Sequence, residues 1–159
     1  MQIFVFTVIL PLLFYAILRT TKVLHSFTEA TLQERIKPIF LQVVLLYVLV
    51  KFGVLRQTYP ELLLFFQGGF LSAFLALVVT SFGFKASLHM IGIASLFQFM
   101  CMFSSYFNLD TTYTLAFLII CMGGVASSRL YLKSHTPIEL LAGIFLGILP
   151  QYLVWFYRM

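Results

Sequence analysis

Two short polar stretches carry the side chains with chemical reach: Lys85-Ala86-Ser87-Leu88-His89, and Ser128-Arg129 followed by Lys133, His135 and Glu139. Cations placed beside imidazoles suit a phosphoryl group, whose oxygens are neutralised by fixed positive charge and free backbone N–H groups. Arg129 supplies the planar fork that phosphate prefers. Ser87 is positioned to cap a helix whose opening N–H groups would face an anion. One imidazole can attack while the other protonates a leaving alkoxide, provided their surroundings split their pKa values near neutrality. Thr136-Pro137-Ile138-Glu139 also reads as a helix start, with Thr as N-cap, Pro at the first helical position and Glu closing a capping box. Glu139 can fill both roles if its carboxylate also reaches His135.

These residues must be positioned by elements that live in lipid. Of 159 residues, 62% are apolar and only 9% are charged, outside the range of a water-soluble domain. A crossing needs about 20 mostly apolar residues, so a chain of this length holds little besides spans. Six apolar runs are expected to cross: Ile3 to Leu18, Ile39 to Leu55, Leu62 to Phe82, Leu88 to Ser105, Thr112 to Ala126 and Ile138 to Tyr157. They lack the alternation of barrel strands, and a backbone in lipid must satisfy its own hydrogen bonds, so the expected class is an all-α integral membrane bundle of six helices. The whole chain reads as a single domain.

Six alternating spans put connectors one, three and five on one side. Those connectors hold Arg35 and Lys37, then Lys85, Ser87 and His89, then Ser128, Arg129, Lys133 and His135. The opposite side offers Arg56, Arg158, Glu61 and Asp110 and looks chemically plain. The net charge of +5 is spread over short connectors with no basic run, which argues against nucleic acid as a partner and for membrane and phosphate electrostatics. Cys101 and Cys121 lie in apolar runs without C-x-x-C spacing and read as core thiols.

Other residues have plainer readings. His25 reads as a packed or interfacial histidine, and Lys37 and Lys133 as cations snorkelling at the interface. Lys51, inside an apolar run, either faces the bundle interior or snorkels past Arg56 to the surface. Tyr131, Tyr152, Trp155 and Tyr157 fit an aromatic belt. Gly68-Gly69, Gly123-Gly124 and the G-x-x-x-G of Gly143 and Gly147 permit close helix approach, while Gln67, Ser95 and Gln98 are candidate interhelical hydrogen-bond partners.

Ser128-Arg129, His135 and Glu139 keep the spacing of the third motif, S-R-x5-H-x3-D, of the type 2 phosphatidic acid phosphatase superfamily, with Glu for Asp. Ser87 and His89 match two positions of its second motif, P-S-G-H, and over its C-terminal half the chain resembles small bacterial members. The first motif, K-x6-R-P, has no full copy; the nearest fragment is Glu34-Arg35-Ile36-Lys37-Pro38, where Arg35 or Lys37 would stand in. Leu88 replaces the second motif's glycine.

The resemblance implies that His135 attacks phosphorus to form a phosphohistidine, with Glu139 orienting its ring and His89 protonating the leaving lipid alcohol. Ser87, Ser128, Arg129 and Arg35 would hold the phosphate, with Lys85 nearby. It implies no metal and no cofactor. The expected substrate is a phosphorylated lipid: phosphatidic acid, phosphatidylglycerol phosphate, an isoprenyl diphosphate or a lipid A phosphate. The expected setting is a bacterial inner membrane with the site facing outward, although the count of cations in connectors would place it in the cytoplasm. The alternatives are a catalytically silent relative that binds anionic headgroups and, ranked last, a small transporter.

Overall fold

The computed structural model describes residues 2–20, 32–52 and 59–158. His25 and Arg56 lie outside them. Six helical stretches run through these residues, and no strand occurs among them. The first, α1, joins an α-helical turn Gln2–Phe4, a π-helical segment Val5–Ile9 and an α-helix Leu10–Thr20. The others are α2 (Leu32–Phe52), α3 (Pro60–Ser81), α4 (Leu88–Phe107), α5 (Thr112–Tyr131) and α6 (Pro137–Arg158).

Four of these, α3 to α6, are long and apolar enough to cross a membrane, which makes this an all-helical membrane protein. The expectation of six such helices is corrected to four among the described residues. In α1 the π segment interrupts the α-helix just ahead of Pro11, which brings no backbone donor of its own, and Leu10 N–H reaches back to the Val5 carbonyl instead. In α2 the uncharged stretch between Lys37 and Lys51 is shorter than a full crossing requires. Lys51 itself is exposed on α2 and does not face the bundle interior.

The centre of the bundle is the crossing of α4 and α6. A Cβ added at Gly147 would lie 2.6 Å from the Ile91 carbonyl oxygen and 2.9 Å from the Ala94 Cβ, and one at Gly143 would lie 2.9 Å from the Ser87 carbonyl oxygen. The G-x-x-x-G pair therefore lets two backbones meet, and the Ser95 hydroxyl donates across the seam to the Gly147 carbonyl at 3.2 Å. Helix α3 packs on α6 and α2. There Gln151, buried although no polar neighbour in sequence announces it, lies over Gly68 and donates to the Phe65 carbonyl at 2.9 Å. Trp155 is 7% exposed and packs edge-on to Phe99 at 5.7 Å, so it is a core residue and not part of an aromatic belt. Tyr131 and Tyr157 are exposed. Helix α5 packs on α4 and leaves most of its apolar surface, including Phe117 and Ile120, for lipid.

Two helix ends shape the connectors that matter. At the end of α3, Gly83 adopts φ 87°, its N–H bonds the Thr80 carbonyl and the Phe84 N–H bonds that of Val79. At the end of α5, Lys133 adopts φ 51°, its N–H bonds the Leu130 carbonyl and the Ser134 N–H bonds that of Arg129. Both are Schellman closures that turn the chain sharply back toward the next helix. Gly147→Ala should destabilise the detergent-solubilised protein by about 1–3 kcal/mol through overpacking, read from its thermal unfolding. Gly124→Ala, where an added Cβ meets nothing within 4 Å, should leave the transition unchanged or raise it.

Candidate functional site

The sharp turn after α5 delivers Ser134 and His135 to the N-terminus of α6, where the expected capping box forms. The Thr136 N–H donates to Glu139 Oε2 at 3.0 Å, and the Glu139 N–H donates to Thr136 Oγ1 at 3.4 Å. The same Oε2 lies 2.9 Å from His135 Nδ1. A carboxylate only accepts, so Nδ1 carries the proton of that bond and the lone pair stands on Nε2. Glu139 thus caps the helix and orients the imidazole at once.

His135 is buried, at 8% exposure. Burial is the main force pushing its pKa below the ordinary histidine value of 6.5; the Glu139 hydrogen bond pulls it up, and the charges of Arg35 and Lys85 push it further down. The ring is therefore neutral at pH 7, as a nucleophile must be.

His135 opens onto a small cleft of about 140 Å³ that it shares with Arg35, His89, Arg129, Leu88, Leu132 and Ser134. Four helices supply it. Arg35 comes from the first turns of α2, His89 from the first turn of α4, Arg129 from the last turn of α5, and Glu139 supports His135 from the first turn of α6. The charges of Arg129, His135 and Arg35 all bear on the His89 ring, and Glu139 and Arg129 on Arg35. Among the described residues the Nε atoms of Arg35 and Arg129 are buried and have no hydrogen-bond partner. A buried guanidinium donor left unpaired is costly.

The structure thus brings together Arg35, Lys85, His89, Arg129, His135 and Glu139 from separate parts of the sequence. Two expected ligands stand apart. Ser128 is exposed and does not line the cleft, because consecutive helical residues diverge by about 100° and only the longer Arg129 side chain reaches in. Ser87 occupies the N-cap position of α4 but caps nothing with its side chain. It is fully buried, its N–H donates to the Glu139 carbonyl at 3.2 Å, and its hydroxyl has no partner among the described residues. Sequence spacing places a serine at the helix start but does not say whether its hydroxyl faces the cleft or the α4–α6 seam.

Leu88 lines the cleft. Among the described residues no group of three or more His, Cys, Asp or Glu side chains is placed to share a metal ion. Cys101 and Cys121 are both free thiols. Comparison with family models, curated proteins and solved structures finds no match to this chain.

The His135 imidazole, followed by NMR, should titrate with a midpoint below 6.5, and Glu139→Gln should lower it further by removing the interactions that raise it. The sign for stability follows. The unfolded chain takes up this proton first, so the native state loses stability as pH falls from 6.5 toward the folded midpoint and not above 6.5.

Proposed function

We propose that the protein is a membrane phosphatase that removes phosphate from a lipid phosphomonoester or diphosphate through a phosphohistidine on His135. The observation that supports this most is the cleft itself: a neutral imidazole held by a carboxylate at 2.9 Å, facing a second imidazole and two arginines whose buried Nε–H groups lack acceptors among the described residues. In this mechanism Arg35 and Arg129 hold the phosphoryl oxygens and Lys85 adds charge from the rim. The His135 Nε2 lone pair forms a bond to phosphorus as the P–O bond to the lipid breaks. His89, protonated at that moment, gives its proton to the departing alkoxide. It then takes a proton from the water that cleaves the P–N bond, which releases inorganic phosphate and restores both rings. Glu139 fixes the reactive tautomer throughout.

Arg35 lines the cleft, so the start of α2 lies at the same end of the bundle as the α3–α4 and α5–α6 connectors. The site is proposed to face outward from a bacterial inner membrane. A membrane-impermeant thiol reagent applied to intact cells should then label Ser134→Cys; labelling only after lysis would place the cleft in the cytoplasm.

One observation favours a catalytically silent headgroup binder instead: Leu88 presents a branched side chain to the cleft where the resembled motif has glycine. Phosphate release in EDTA from phosphatidic acid, phosphatidylglycerol phosphate, an isoprenyl diphosphate and lipid A separates the two. Hydrolysis should vanish in His135→Ala and fall by about 10²–10⁴-fold in His89→Ala. No release from any of the four would shift the reading to the headgroup binder.

A further inference from the structure

Beside the cleft lies a second cavity, of about 800 Å³, bounded by α1, α2, α3 and α4 and lined almost wholly by apolar side chains. Its size is that of a small-molecule site. Leu88 lines both cavities, so one side chain separates a basic cleft from an apolar one. From Pro38 near the cleft end to Leu46 on α2, the cavity wall runs eight residues, or about 12 Å, along the helix axis. It therefore reaches from the level of the basic cleft toward the middle of a hydrocarbon layer about 30 Å thick.

Two positions on the cavity wall carry no side chain. Gly69 of α3 and Gly92 of α4 both line it, and a Cβ at either would meet nothing within 4 Å. They contrast with Gly68, Gly143 and Gly147, each of which makes room for a neighbouring helix. Glycine in a helix interior is disfavoured relative to alanine, and at positions 69 and 92 no protein contact requires it. The wall also holds Ser72, 1% exposed, whose hydroxyl has no partner among the described residues.

We propose that this cavity binds one hydrocarbon chain of a phosphate-bearing amphiphile, with Gly69 and Gly92 making room for the chain and Leu88 separating chain from headgroup. The inference rests on the reading of the basic cleft as a phosphate site. It makes the substrate class an amphiphile with one chain drawn into the bundle, and it gives Leu88 a positive role as the boundary that sets how deep the phosphate can sit.

The chain has a single tryptophan, Trp155. It contacts Phe99 at 5.7 Å, which contacts Phe65 on the cavity wall at 5.2 Å. A bromine at the far end of a bound chain would lie near this buried fluorophore. Titration of the detergent-solubilised protein with ω-bromododecyl phosphate should quench Trp155 saturably. Gly69→Leu should weaken that binding by at least roughly ten-fold, since each excluded methylene loses its burial, while elution volume and thermal unfolding stay those of the parent. Gly92→Leu, which fills the cavity from the opposite wall, should do the same and stands in if the first variant fails to fold. Unchanged quenching in both folded variants would overturn the chain site. Equal quenching by bromododecanol that both leucine variants abolish would uphold the chain site and overturn the phosphate reading on which the headgroup half rests.

Discussion

Everything chemical in this molecule hangs on how closely α4 approaches α6. Gly143 and Gly147 remove the side chains that would hold the helices apart, and the backbones then meet within contact distance of Ser87, Ile91 and Ala94. That approach lets the Ser87 N–H bond the Glu139 carbonyl, which ties the first residue before α4 to the first turn of α6. His89 and His135 are thereby delivered to one cleft from helix ends that are far apart in sequence. In lipid, where apolar surface gains little by leaving its solvent, such close van der Waals seams and the hydrogen bonds across them are what order the bundle.

The electrostatics of the cleft follow from the same geometry. Among the described residues, two guanidiniums and two imidazoles share a partly buried space with a single carboxylate, Glu139. That carboxylate is committed to Thr136 and His135. The described residues thus place more positive than negative charge at the cleft, where a field is poorly screened. His135 is kept neutral first by its burial, and the charges of Arg35 and Lys85 act in the same direction.

Packing is unevenly distributed around this centre. The α2–α3 and α3–α4–α6 contacts hold the buried clusters around Leu49 and Phe99, whereas α5 is nearly all surface. A helix so exposed would be unstable in water; in a bilayer its apolar faces are solvated by lipid. Its contribution to the site is confined to its last turn and the left-handed Lys133 beyond it, which together aim Arg129 and release His135.

The sequence by itself determined the all-helical membrane class, most helix boundaries to within a few residues, and the local motif at the start of α6, because hydropathy, capping and i to i+4 spacing are properties of neighbouring residues. It named Arg35, His89 and His135 as residues worth bringing together through the order of the connectors and the spacing of Ser128, Arg129 and His135. The tertiary structure decided the rest. The π segment ahead of Pro11 and the charges of α2 leave four helices, not six, that cross by length and composition. Rotation of each helix about its axis turned Ser128 outward and Trp155 into the core, and it set Gly68, Gly143 and Gly147 against neighbouring helices while Gly69 and Gly92 line a cavity. Rotation is fixed by contacts with helices distant in sequence, and in spans that are apolar on every side no periodic pattern records it.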